Sequence, residues 1–250
     1  MTDQPNDHRV AIVTGGARGI GAAITTALAR SGVHVAAGYS RNVTAADELA
    51  AKLGAEGASV SVHQGNVGDP GDCARVVDEV LQAQGRVDYL VNNAGITVDK
   101  TMRKMSIEDW HAVLRINLSG AFYMTKAVLD HMLARGFGRI VNISSVIGQT
   151  GSIGQANYAA SKSGLFGLSQ SLAQEVARKG ITVNCVAPGY IETEMVAAVP
   201  AEAMAKLLKT VPVGRLGQAS EIARAVRFLV DDDAGYITGS VLSVNGGLAM

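Results

Sequence analysis

The chain has very little cysteine. Cys73 and Cys185 are the only two, far apart and outside any CxxC pattern. That leaves no disulfide framework and no thiolate ligand set, so reduced thiols in a cytoplasm are the expectation. Net charge is absent too: Lys plus Arg and Asp plus Glu each number 22 in 250 residues. A nucleic-acid surface needs a basic excess to displace counterions, so no nucleic-acid partner is expected. No stretch approaches the roughly 20 apolar residues of a membrane helix. Met1 to Arg9 is polar and lacks the apolar core of a signal peptide. These absences predict a cytoplasmic protein without a membrane partner. The five histidines are scattered, with no HExxH motif or Cys/His cluster, so no metal is expected. There is no internal repeat, low-complexity tract or Pro/Ser-rich linker. One domain over residues 1–250 is the simplest organisation.

Apolar residues are plentiful, at 48 %. They gather in short runs: Val10 to Val13, Val33 to Ala37, Ser59 to His63, Val87 to Val91, Arg139 to Ile143, Ile181 to Val186 and Val241 to Val244. Between them lie helical patterns at Gly21 to Arg30, Ala45 to Leu53, Cys73 to Gln84, Glu108 to Leu133 and Ser161 to Arg178. The runs are mostly continuous rather than alternating, as expected for strands covered on both faces. Seven such runs in a βαβ rhythm predict an α/β fold with a doubly wound, seven-stranded parallel sheet and helices on both faces. Residues 187–217 break the rhythm with Pro188, Pro200 and Pro212 and a short helical pattern near Ala201 to Lys209. An insertion of that length reads as a substrate lid.

Thr14-Gly15-Gly16-Ala17-Arg18-Gly19-Ile20-Gly21 follows the first strand and opens the first helix. Glycines there permit a tight turn and let backbone approach a pyrophosphate, which the helix N-terminus stabilises. The spacing is GxxxGxG rather than GxGxxG. The second strand should end at an adenosine ribose, where a carboxylate would bind the 2′-hydroxyl of NAD. The chain reads Gly38-Tyr39-Ser40-Arg41-Asn42, with no acid. Arg18 and Arg41 could clamp a 2′-phosphate instead, which points to NADP(H).

Tyr158 and Lys162 lie four residues apart at the start of a helical pattern and so share a face. A neighbouring ammonium favours a phenolate and lowers its pKa. Asn117 stands in an apolar stripe with Trp110, Val113, Leu114, Ala121, Met124 and Val128, where an amide must find hydrogen-bond partners. Asn92-Asn93-Ala94-Gly95 follows the fourth strand, and Asn142-Ile143-Ser144-Ser145 ends the fifth. Both lie at carboxyl ends of strands, where doubly wound sheets bind ligands.

Taken together, these segments resemble the short-chain dehydrogenase/reductase family across essentially the whole chain. The residues that carry the resemblance are the Thr14 to Gly21 loop, Asn92 to Gly95, Asn117, Ser145, Tyr158 to Lys162 and Pro188-Gly189. Ser145 stands thirteen residues before Tyr158, as in the family pattern, which selects it over Ser144. The resemblance implies a Rossmann-type enzyme. Tyr158 would donate a proton to a carbonyl oxygen that Ser145 polarises. Lys162 would hold the nicotinamide ribose and lower the tyrosine pKa, and Asn117 would anchor a water. The same resemblance implies cofactor contacts from Gly15, Arg18, Gly19, Ile20, Gly21, Ser40, Arg41, Val67, Asn93, Ala94, Gly95, Pro188, Gly189, Ile191 and Thr193. One departure concerns adenine: family members usually place an acid where this chain has Asn66, before Val67.

Within the family, the chain looks like acetoacetyl-CoA reductases and 3-oxoacyl-acyl-carrier-protein reductases, on Gly136 to Ser145, Gly154 to Tyr158, Pro188 to Thr193 and Asn245 to Met250. That implies an NADPH-dependent reduction of a 3-oxoacyl thioester to the (3R)-hydroxyacyl product. Ile153, Gln155, Tyr190 and Met195 are expected to wall the substrate pocket beside Ser145 and Tyr158. The carrier stays open between CoA and acyl-carrier protein. The Gly136-Phe137-Gly138 turn leans toward CoA, while Arg135 and Lys179 could contact a carrier protein. A dehydrogenase of another secondary alcohol is the alternative. The family also implies a homotetramer. Gly164 and Gly167 add a hint of close helix approach, either across an interface or within one subunit.

Overall fold

The computed structural model describes residues 8–192, 204 and 207–250. Strand β1, Val10–Val13, leads through the glycine loop to α1, Gly19–Ala29, and then β2, His34–Tyr39. Helix α2, Val43–Ala55, β3, Val60–Gln64, α3, Pro70–Gln84, and β4, Tyr89–Asn92, complete the first half. The second half begins with α4, Ile107–Leu114, a π turn at Arg115–Ser119, and α5, Gly120–Arg135. Then come β5, Gly138–Ile143, the short α6, Val146–Thr150, α7, Ala156–Val176, and β6, Ile181–Pro188. Two-residue strands β7, Ile191–Glu192, and β8, Gly217–Gln218, pair with each other. Helix α8, Ala219–Val230, and β9, Val241–Val244, finish the chain.

All seven strands of the main sheet run parallel, in the order β3-β2-β1-β4-β5-β6-β9. The expected α/β doubly wound sheet is therefore present. Its strands are apolar on both faces because helices cover both. On one face Ile24 and Leu28 of α1 meet Ile222 and Val226 of α8. On the other, Val77 and Val80 of α3 meet Val128 and Met132 of α5 and Leu172 and Val176 of α7. Full burial of one such side chain is worth roughly 1.5–3 kcal/mol. The order in which strands are added to the sheet reverses between β1 and β4, which opens a crevice at their carboxyl ends.

Local signals set the helix ends. Asp69 accepts the N–H groups of Gly71 and Asp72, Pro70 fills the first turn of α3, and Gly85 closes it at φ 72°. Ser106 and Asp109 form a reciprocal capping box on α4.

Two expectations change. Glu108 to Leu133 is not one continuous helix, because the π turn at Arg115–Ser119 interrupts it and carries Asn117. Gly164 is explained within one subunit: a Cβ there would lie 2.7 Å from Leu118 Cδ2, so α7 packs directly on the π turn. At Gly167 a Cβ would meet nothing within 4 Å. The helical pattern near Ala201 to Lys209, central to the expected lid, falls largely outside the described residues, as do Thr193 and Met195.

Candidate active site

The glycine loop is bound to the end of β4. Thr14 Oγ1 accepts the N–H groups of Asn93 and Ala94, both at 3.0 Å. Asn93 Nδ2 donates to the carbonyls of Thr14 and Gly15, at 3.0 and 3.1 Å. The Asn93 side chain is thus a clamp on the loop, and its contribution toward a ligand is structural. Gly15 and Gly19 hold φ values of 60° and 50°, conformations that other L-residues rarely adopt. A Cβ on Gly21 would overlap the Gly15 carbonyl. Arg18, the residue preceding α1, makes no side-chain cap. The first-turn N–H groups, around Gly19, Ile20 and Gly21, therefore have no acceptor from a cap side chain. A pyrophosphate fits such a cradle.

Beyond β2, Ser40 and Arg41 are exposed, as is Arg18. Asn42 is used to cap α2, accepting from Ala45 N–H at 3.0 Å. At the end of β3 the backbone N–H of Asn66 donates to Asp72 Oδ2, at 2.9 Å. That bond, followed by the one from Arg75, holds the Asp72 carboxyl below its ordinary range. Asn66 Oδ1 accepts Gly68 N–H at 3.0 Å, so the group it can offer an adenine is its NH2 donor. Val67 sits under Gly120, where a Cβ would lie 3.0 Å from the Val67 carbonyl oxygen.

The catalytic candidates converge where β5 ends. Ser145 precedes α6 and accepts Ile147 N–H on Oγ at 3.1 Å. The same side chain lies close enough to Tyr158 to favour its phenolate. With Ile147 N–H bound to its oxygen, Ser145 keeps its own O–H free to donate. Lys162 is almost fully buried and donates Nζ–H to the Ile143 carbonyl at 2.7 Å. Its Nζ lies 5.7 Å from the centre of the Tyr158 ring. Burial pulls Lys162 down to about 8. Burial also pushes Tyr158 up; the nearby Ser145 hydroxyl opposes this and Asp99 adds to it. The expected lowering of the tyrosine by Lys162 is therefore absent: Tyr158 is raised, and Lys162 is not among the groups that act on it. Helix α6 approaches α7 closely at Gly148, where a Cβ would be 2.9 Å from the Lys162 carbonyl carbon.

Asn117 is buried, and every polar group of its side chain is used. Oδ1 accepts Ile96 N–H at 2.8 Å, while Nδ2 donates to Ile96 O at 3.0 Å and to Ser161 Oγ at 3.1 Å. Gly95 lies against this pair: a Cβ there would be 3.3 Å from Asn117 Oδ1 and 3.5 Å from Lys162 Nζ. Gly189, just after β6, is pressed against Asn245, and Pro188 closes that strand. Ile191 turns its side chain into the core against Gly217, so its backbone is the part left for a ligand. Tyr190 is half-buried beside it, and Ile153 stands at the rim, 95 % exposed.

Sequence reasoning missed Asn157 and Asp99. Asn157 is fully buried; it donates to the carbonyls of Val98 and Asp109 and accepts Tyr158 N–H at 2.8 Å. It fixes the first turn of α7 to the chain after β4, and so aims Tyr158. Asp99 accepts from Gln155 Nε2 at 3.0 Å. An asparagine immediately before Tyr158 was the available signal. Behind the site, a buried polar chain runs from Asn92 Nδ2 to Asn142 Oδ1, from Asn142 Nδ2 to Ser169 Oγ, and on to Cys185 Sγ. No group of His, Cys, Asp or Glu able to hold a metal occurs among the described residues. No helix among them is long and apolar enough to cross a membrane.

A family model described as short chain dehydrogenase matches residues 9–203. Acetoacetyl-CoA reductase of Shinella zoogloeoides is 50 % identical over 240 residues, covering 96 % of this chain and 98 % of its own. Acetoacetyl-CoA reductase of Rhizobium meliloti is 51 % identical over 240 residues, with the same coverage. The 3-oxoacyl-acyl-carrier-protein reductase of Escherichia coli K12 is 48 % identical over 244 residues, covering 98 % of both chains. With the tyrosine, serine and buried lysine gathered at the end of β5, and a glycine loop leading into an α1 without a side-chain cap, the chain belongs to the short-chain dehydrogenase family of oxidoreductases.

Proposed function

We propose that this protein is an NADPH-dependent reductase that converts a 3-oxoacyl thioester to its (3R)-3-hydroxyacyl product. The observation that carries the reading is the gathering of Ser145, Tyr158 and buried Lys162 at the end of β5. The thioester substrate is supported by the relatives, which are named for acetoacetyl-CoA and 3-oxoacyl-acyl-carrier protein. The (3R) hand rests on the same resemblance.

The glycine cradle, Gly95 and the uncapped start of α1 fit a dinucleotide, whose bound nicotinamide supplies the hydride. Arg18 and Arg41, with no acid after β2, favour a 2′-phosphate on that dinucleotide. Tyr158 hands its phenolic proton to the substrate oxygen, which Ser145 holds by hydrogen bonding. The burial that pushes Tyr158 up keeps the proton on the tyrosine until hydride arrival makes the substrate oxygen basic enough to take it. Lys162 presents a buried ammonium beneath the ring, which favours the phenolate once the proton has left. The side chain of Asn117 is fully engaged, so a proton-relaying water there must bind its backbone. A π turn, with its shifted hydrogen bonding, is a suitable place for one.

The test is a spectrophotometric assay of NADPH loss with acetoacetyl-CoA, followed by chiral analysis of the product. Oxidation of NADPH with formation of the (3R) alcohol is expected. Activity confined to secondary alcohols or sugars, or a requirement for NADH, would overturn the assignment.

A further inference from the structure

A cleft of about 230 Å³ lies at the amino ends of β5 and β6, the end of the sheet opposite Tyr158. Its walls come from the turn before β5, from Arg139 and Thr182, and from Gly235 and Thr238 after α8. Arg139 and Thr182 stand side by side in the register of β5 and β6. Their strand neighbours Ile140, Ile181 and Val183 pack with α3, α5 and α7. Side chains alternate along a strand, so Arg139 and Thr182 both point to the other face.

Thr182 is buried, and its Oγ1 has no hydrogen-bond partner among the described residues. A hydroxyl left in that state carries an uncompensated desolvation cost. Arg139 is buried too, and none of its partners is an acid. Nε donates to Asp231 O, Nη1 to Gly138 O and Gly180 O, and Nη2 to Asp232 O. One N–H on Nη2 is left over. Gly235 keeps that nitrogen accessible: a Cβ there would lie 3.6 Å from Nη2. The nearby acids are committed elsewhere, the Asp232 carboxylate to Arg9 and the Asp231 carboxylate to Asp233 N–H. Burial outweighs Asp231 and Asp232 and holds the Arg139 guanidinium below its ordinary value. Thr238 Oγ1 accepts Val183 N–H at 3.0 Å, so its O–H remains to be donated. The loop that carries Thr238 is fixed to β6, through Gly239 N–H to Val183 O and through the Asn184 side chain to Ile237 O and Ser240 N–H.

We propose that this cleft is a binding site for a small oxyanion of the phosphate class, held by Arg139, Thr182 and Thr238. A guanidinium N–H and two hydroxyls offer three donors to one ligand, and arginine suits phosphate geometry. An anion answers both anomalies at once: it supplies the acceptor that Thr182 lacks and the countercharge that Arg139 lacks. The cleft shares no residue with the glycine loop or with the group around Tyr158, so it is separate from the cofactor and from the reacting carbonyl.

The experiment uses the NADPH-saturated enzyme, so that phosphate cannot enter the cofactor cradle. Urea unfolding is followed in increasing potassium phosphate, with potassium chloride holding the ionic strength constant, for wild type, Thr182→Val and Thr182→Ser. Valine keeps the shape and breaks no existing side-chain hydrogen bond, so Thr182→Val should be at least as stable as wild type in chloride. In wild type, phosphate should raise stability along a one-site binding curve. Thr182→Val should weaken that binding about tenfold, the loss of one hydrogen bond to a charged group. Thr182→Ser should restore it. The same titration with glycerol 3-phosphate distinguishes a free ion from the phosphoryl end of a larger molecule, and one-site binding of either supports the site. The same phosphate dependence in wild type and Thr182→Val would overturn it. So would a stabilisation that only climbs linearly in both, which is the mark of phosphate excluded from the protein surface.

Discussion

Replacing Lys162 with methionine should separate stability from activity. Lys162 is buried, which brings it down to about 8 from its ordinary 10.5. Below about pH 8 the group is charged in both states, and the whole burial cost weighs on the folded one. At pH 7 that cost is about 3 kcal/mol, taking roughly 1.4 kcal/mol per unit. As pH rises from about 8 toward 10.5, the folded lysine is neutral while the unfolded one still holds its proton. The unfolded chain then binds more protons, so stability rises with pH across this window. By pH 10 the remaining cost is about 1 kcal/mol. Lys162→Met removes this dependence, and it also removes the bond to Ile143 O, worth roughly 1.5–3 kcal/mol for a charged donor. At pH 7 the two changes nearly cancel, so the variant should unfold within about 2 kcal/mol of wild type. Between pH 7 and pH 10, wild type should gain about 2–3 kcal/mol relative to the variant. Tyr89 titrates in both proteins and drops out of the difference to first order. Urea unfolding of both proteins at the two pH values, followed by circular dichroism, measures it. Turnover of the variant should be lost throughout. Identical pH dependence in the two proteins would refute the buried-charge argument.

Further outcomes are expected at three positions. Asn157→Ala removes two donated bonds and the acceptor for Tyr158 N–H; about 2–4 kcal/mol of stability should be lost, and kcat should fall more than cofactor affinity, as read by urea unfolding and NADPH titration. Gly164→Ala places a Cβ against the Leu118 side chain; overpacking of about 1–3 kcal/mol is offset by about 1 kcal/mol of helix propensity, so a net loss of up to about 2 kcal/mol is expected, measured as a lower denaturation midpoint. Arg41→Asp puts a carboxylate where a 2′-phosphate is proposed to sit; the ratio of kcat/KM for NADPH over NADH should fall by at least about tenfold, and an unchanged ratio would remove Arg41 from the clamp.

The seven strands could be placed from their apolar runs because a strand covered on both faces needs no alternation to be visible. Val10–Val13 and Val241–Val244 have the expected bounds. The helix containing Asn117 was misread for a physical reason. A π turn adds one residue to the hydrogen-bonded ring without a proline or glycine to announce it, so the apolar stripe reads on through it. The roles of amides were also hidden. Asn93, Asn117 and Asn157 look alike in sequence, yet each is a clamp between segments 21 to 79 residues apart. Only the folded chain shows which carbonyls they reach. The tyrosine, lysine and serine were legible because their spacing is local or follows the family pattern. The opposing shifts of Tyr158 and Lys162 were not, since burial is a property of the packed helices.

The central claim is that Tyr158 supplies the proton for reduction of a 3-oxoacyl thioester. It is tested most directly by measuring kcat for acetoacetyl-CoA with NADPH in wild type and Tyr158→Phe, alongside NADPH affinity by fluorescence. Phenylalanine keeps the ring and deletes the hydroxyl. Turnover should fall by about 10²–10⁴ or more while NADPH binds nearly as before. A variant that reduces acetoacetyl-CoA at close to the wild-type rate would contradict the account.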